Sequence, residues 1–76
     1  MPRWEKVRGV VVHYAEVNAS EVVVGSHSGS GHTDFAGACS HEAFLADRRL
    51  HDAVLSEHGA ETLAEMIEAV RRVAAS

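Results

Sequence analysis

The spacing of apolar residues changes once along this chain, and that change decides the fold class. Up to about residue 39 the apolar residues are mostly valines in short β-branched runs. Beyond Ser40 they recur every three or four positions. The first pattern suits pleated strands and the second suits amphipathic helices. Strands followed by helices, rather than strands alternating with helices, predict an α+β domain.

Residues 7–17, VRGVVVHYAEV, read as one strand. Side chains alternate across a strand, so Val10, Val12 and Tyr14 share one face while Val11, His13, Ala15 and Val17 share the other. Both faces carry apolar groups, which places this strand inside a sheet or against a second chain. Asn18-Ala19-Ser20 is short enough for a hairpin connection into EVVVG, residues 21–25. HTDFAGAC, residues 32–39, reads as a third strand. Gly37 and two alanines weaken it and mark an edge, a bulge or a close backbone approach.

Ser40 is a good N-cap, and Glu42 adds an acid in the first turn where the helix dipole favours one. The helix it opens is expected over 41–57, ending at His58-Gly59. Its apolar stripe is expected along Ala43, Ala46, Leu50, Ala53 and Val54, with Phe44 and Leu55 beside it. The last segment is the most periodic in the chain, with Leu63, Met66, Ile67, Val70, Val73 and Ala74 on one stripe. Glu68 stands four residues before Arg72, the favourable order for a pair along a helix. The expected architecture is a three-stranded antiparallel sheet followed by two helices packed on one face, β-β-β-α-α. One domain spans residues 1–76. The opposite sheet face has no cover in this arrangement.

Chain length then limits how such a domain is held together. Seventy-six residues bury only about 60% of the surface exposed when unfolded, and small domains compensate with disulfides, a metal or association. Cys39 is the only cysteine, so no disulfide forms within the chain. A lone thiol, an opening MPRWEKVR without the apolar core of a signal peptide, and no apolar run of about 20 residues predict a soluble cytoplasmic protein. The net charge of −4, with Arg3, Lys6 and Arg8 as the one basic cluster, argues against binding nucleic acid, which calls for a basic face.

Three constellations of residues bear on chemistry. The stretch VVVGSHSGSGHT, residues 22–33, has the composition of a phosphate-binding loop. That loop needs G-x-x-x-x-G-K-[ST] running into a helix; here Ser26 stands for the first glycine and His32 for the lysine, and Asp34 follows. The phosphate reading fails on chemistry. His27, His32, Cys39 and His41 supply imidazole and thiolate ligands of the kind zinc prefers, and form the alternative reading of a small zinc-binding domain. Their spacing matches no standard zinc motif, so the primary expectation is no cofactor and scattered polar histidines. Cys39 and His41 pair as a nucleophile and base only if something orients them, and nothing in the pattern does.

The expected function is a small non-catalytic protein-binding or regulatory module acting through protein–protein association as a homodimer. An accessory inhibitor of a larger machine fits these traits. The interface is expected at Val10, Val12 and Tyr14, with Trp4 as an aromatic anchor or as the plug at the end of the core. The expected partner is a protein or a second copy, with neither nucleic acid nor membrane.

Overall fold

The computed structural model of the chain describes residues 2–28 and 33–75, with side chains for all of these except 33–36. Within them the chain is α+β: a four-stranded antiparallel sheet, then three helices. The strands are β1 (Arg3–Arg8), β2 (Val11–Val17), β3 (Val22–Ser28) and β4 (Thr33–Cys39), side by side in chain order. The helices are α1 (His41–Ala46), α2 (Arg48–His58) and α3 (Ala60–Ala75).

The expected count of three strands and two helices is therefore corrected at both ends. The single strand expected over 7–17 is two strands, because the chain reverses at Gly9-Val10. Arg8 pairs with Val11 across that two-residue turn, and Gly9 has φ 63°. A positive φ at the first turn position is the signature of the tight hairpins whose twist matches their strands, and glycine adopts it without steric cost. Val10 accordingly sits in the turn, 72% exposed, and does not share a strand face with Val12 and Tyr14. The second hairpin is as expected: Asn18 Oδ1 accepts from the backbone N–H groups of Ser20 and Glu21 at 2.9 and 2.8 Å, closing the loop between Val17 and Val22. β3 continues through Ser28, so half of the Gly/Ser run is strand, with a bulge between Ser26 and His27. Residues 29–32 of that run lie outside the described residues.

The helix expected over 41–57 is broken at Asp47. Ser40 opens α1 as anticipated, its Oγ accepting from Ala43 N–H at 3.0 Å. Asp47 then leaves the helix in an extended conformation and caps α2, its carboxylate accepting from Arg49 N–H at 2.8 Å. A short acidic side chain competes for backbone N–H groups in this way, which makes it a good cap and a poor interior residue. The break frees the Phe44 carbonyl, and His51 Nε2 donates to it at 2.7 Å. The stripe shifts as a result. Phe44 and Val54 are the buried residues of α1 and α2, while Ala43, Ala46 and Ala53 are exposed. Gly59, φ 96°, lets the chain pass from α2 to α3 in one residue.

The core is one cluster: Ala15, Val17, Val22, Val24, Phe44, Val54, Met66 and Val70. It lies between one sheet face and the helices, toward the end of the sheet that carries the Asn18 turn. α3 supplies Met66 and Val70 from the expected stripe, with Leu63, Ile67 and Val73 packed at its margin. Burying a side chain such as Phe44 or Met66 contributes about 1.5–3 kcal/mol. Among the described residues no helix is long and apolar enough to cross a membrane.

Candidate interaction surface

The strand registers sort every side chain to one of two faces. Trp4, Ala15, Val17, Val22, Val24 and Cys39 belong to the face under the helices. The other face carries Val7, Val12, Tyr14 and Val23, flanked by Arg3, Glu5, Glu16 and His27, and among the described residues no helix packs on it. Val7 is 65% exposed, and Val12, Tyr14 and Val23 are half-buried.

Tyr14 is the centre of this open face. Its ring lies 4.8 Å from the Arg3 guanidinium and 5.9 Å, centroid to centroid, from the His27 ring. Arg3 is itself held by Glu5 at 3.1 Å and by Glu16 at 3.7 Å. Gly25, opposite Tyr14 in the register, is buried despite having no side chain. A ring fixed between a cation and an imidazole loses little further freedom when a partner covers it. This face can bind by packing.

Of the interface residues expected from sequence, Val12 and Tyr14 are thus together on the open face, and Val10 stands apart in the turn. Trp4 is on the opposite face. It packs against the core, and its indole N–H donates to Glu65 of α3 at 2.8 Å. That is the role of plug at the core's end.

The histidine and cysteine set does not converge among the described residues. His27 points to the open face; Cys39 is on the helix face, opposite Val22, five positions away along β3. At about 3.3 Å per residue the two stand roughly 16 Å apart. His41 Nε2 donates to the Asn18 carbonyl at 2.8 Å, pinning the start of α1 to the turn between β2 and β3. His32 lies outside the described residues. Among the described residues no group of three or more His, Cys, Asp or Glu is placed to hold a metal ion. Burial, then the nearby Asp47 and Glu21 carboxylates, push the Cys39 thiol above its ordinary value. A thiol kept protonated is a poor nucleophile and a poor ligand.

One cluster was missed by sequence reasoning. His13 on β2 and His58 at the end of α2 meet edge to face, ring centroids 6.5 Å apart. His13 Nδ1 lies 3.6 Å from Glu57, and Arg8 donates to the Ser56 and Glu57 carbonyls at the end of α2. Buried His13 Nδ1 and His58 Nε2 have no hydrogen-bond partner among the described residues. Burial is the first cause that lowers the His58 pKa; the positive groups His13, Arg8 and Lys6 add to it, and Glu57 opposes. A histidine within a valine run was the only signal available in the sequence. Comparison with known protein families, with curated proteins and with solved structures returns no match, so no relative lends this chain a function.

Proposed function

We propose that this chain is a small non-catalytic protein-binding module that works by protein–protein association and self-associates as a homodimer. The observation that carries the reading is the open sheet face, where Val7, Val12, Tyr14 and Val23 are the apolar residues, interleaved with Arg3, Glu5 and Glu16. In an 8.2 kDa chain whose core occupies a single sheet face, a second apolar face of this kind is surface to be covered by another protein. The net charge of −4 favours a partner with a basic surface. An accessory or inhibitory role toward a larger assembly is consistent with a module of this size.

The test is capture of a partner from source lysate by the wild type, by Val7→Glu and by Tyr14→Ala. Val7 is mostly exposed, so its substitution leaves stability within about 0.5 kcal/mol of wild type. Both variants are expected to lose the captured protein, Tyr14→Ala by about 2 kcal/mol of binding, or roughly thirtyfold. Equal capture by all three, or none by the folded wild type, would overturn the assignment of this face.

A further inference from the structure

We propose that the cavity between α2 and the β3–β4 pair binds a small apolar amine, its ring or branched alkyl group beside Gly37 and Ala53 and its ammonium on Glu57. The site is on the helix side of the sheet, so it is separate from the open face that carries Tyr14 and goes beyond protein association.

The cavity follows from small residues on facing walls. Leu50, Ala53 and Glu57 stand at i, i+3 and i+7 of α2 and so share one side of it. Gly37 and Cys39 of β4 stand opposite Val24 and Val22 of β3, on the sheet face under the helices. α2 meets the sheet at β1, and α3 meets it at β2. Neither Gly37 nor Ala53 has a side chain long enough to close the gap that remains under β3 and β4. A space of about 160 Å³ is left, lined also by Val22, Val24, Cys39 and Leu50. Gly37 and Ala53 are both exposed, so the space opens to solvent. A glycine inside a strand marks a place where a ligand or another backbone comes close.

Volume and lining set the class of ligand. An apolar cavity of about 150 Å³ takes a benzene-sized molecule. Small-molecule sites combine apolar walls with a few polar groups that fix orientation. Here the Cys39 thiol is held protonated, and so uncharged, by burial and two nearby acids. Among the described lining residues Glu57 alone carries a charge. A neutral guest would strip water from that carboxylate and give it no partner, which is costly. An anionic guest would meet like charge, in a chain of net charge −4. An ammonium pairs with Glu57 through a charge-assisted hydrogen bond.

The surroundings of Glu57 leave its carboxylate able to accept. His13 Nδ1 stands 3.6 Å from it, beyond hydrogen-bond length. Arg8 donates instead to the backbone carbonyls of Ser56 and Glu57, at 3.2 and 3.1 Å. That guanidinium is engaged with the end of the helix, and the Glu57 side chain keeps acceptor capacity for a ligand's N–H groups.

The probes are benzylamine, toluene and methylamine, titrated into the full-length protein and followed by backbone amide NMR. Benzylamine is expected to give saturable shifts at Val24, Gly37, Cys39 and Ala53, with a dissociation constant of about 1 mM or tighter, within reach of a ligand its size. Toluene and methylamine each lack one half of the recognition and are expected to bind about tenfold more weakly or worse. Glu57→Gln is expected to lower benzylamine affinity about tenfold and to leave toluene unchanged. Ala53→Leu fills the space and is expected to abolish the saturable shifts. Should that variant lose the wild-type circular dichroism spectrum, the wild-type thiol decides instead. Benzylamine at roughly ten times its dissociation constant is expected to slow modification of Cys39 by a methanethiosulfonate about tenfold. No saturable shift at these residues, binding undiminished in folded Ala53→Leu, or an unprotected Cys39 overturns the site. Toluene bound as tightly as benzylamine, or equal benzylamine affinity in Glu57→Gln, overturns the amine. Capture through Tyr14 is read in a separate assay and is unaffected by either result.

Discussion

His58 ends α2 with its ring against His13, and the surrounding charges are mostly positive. Burial is the chief reason its pKa lies below the ordinary 6.5, and the cationic neighbours act in the same direction. A group that resists protonation in the fold binds its proton more readily once unfolded. The unfolded chain therefore takes up more protons as pH falls below about 6.5, and stability declines over that range. The contribution is intact above 6.5 and is lost as pH drops through the ordinary value to the lowered one. Urea unfolding at a series of pH values from 8 to 5 is expected to show midpoints that fall with acid. His58→Gln removes the titrating group and is expected to flatten this part of the profile. An unchanged slope in that variant would assign the acid sensitivity to other groups. The alternation of residues along β2 did place His13 on the face with Ala15 and Val17. What occupied the space above it was set by α2, far away in the chain.

At the scale of elements, legibility followed whether the deciding interaction was local. Ser40 and Gly59 were readable because a cap needs only its own side chain or its own φ, and both act within a few residues. The α3 stripe was readable because six apolar positions keep one period without interruption. β1 was not: R-W-E-K-V-R offers Trp4 and Val7 as its apolar residues, and it becomes a strand by pairing with β2. The turn that separates them is built on Gly9 inside a run of valines, where the composition reads as continuous strand. Asp47 is the instructive failure, since neither proline nor glycine marks the break between α1 and α2. Its carboxylate caps α2 while its own N–H is held by the Ala43 carbonyl, so one residue ends one helix and starts the next. Asp47→Ala is expected to cost about 1 kcal/mol through the lost cap, measured as a lower urea midpoint at unchanged slope. His51→Ala removes the donor that satisfies the Phe44 carbonyl across the same break, and is expected to destabilise by about 1–3 kcal/mol.

For the whole molecule, the open question left by sequence was which device compensates for so small a core. The four candidate metal ligands fall within fifteen residues of chain, which made them look like neighbours. Folding separates His27 from Cys39 for two elementary reasons. A strand advances about 3.3 Å per residue, so the span between His27 and the Cys39 register becomes roughly 16 Å. Alternation across the sheet then sets His27 on the open face and Cys39 under the helices. His41 is engaged with Asn18, and the thiol is held protonated by burial and by two acids. A site drawing on these residues would have to break the β3–β4 register, whose hydrogen bonds run from Val22 and Cys39 toward the bulge at Ser26-His27. Among the described residues the same sheet has an apolar face that no helix covers. The stabilising device expected of this geometry is thus association. Two measurements on one sample separate it from metal binding. Treatment with a strong chelator is expected to leave the thermal midpoint and the native mass unchanged. Dilution is expected to lower the midpoint, because a dimer's stability depends on protomer concentration. Loss of a stoichiometric metal on chelation, with unfolding, would instead require the β3–β4 hairpin to open and bring His27 and Cys39 to a common centre.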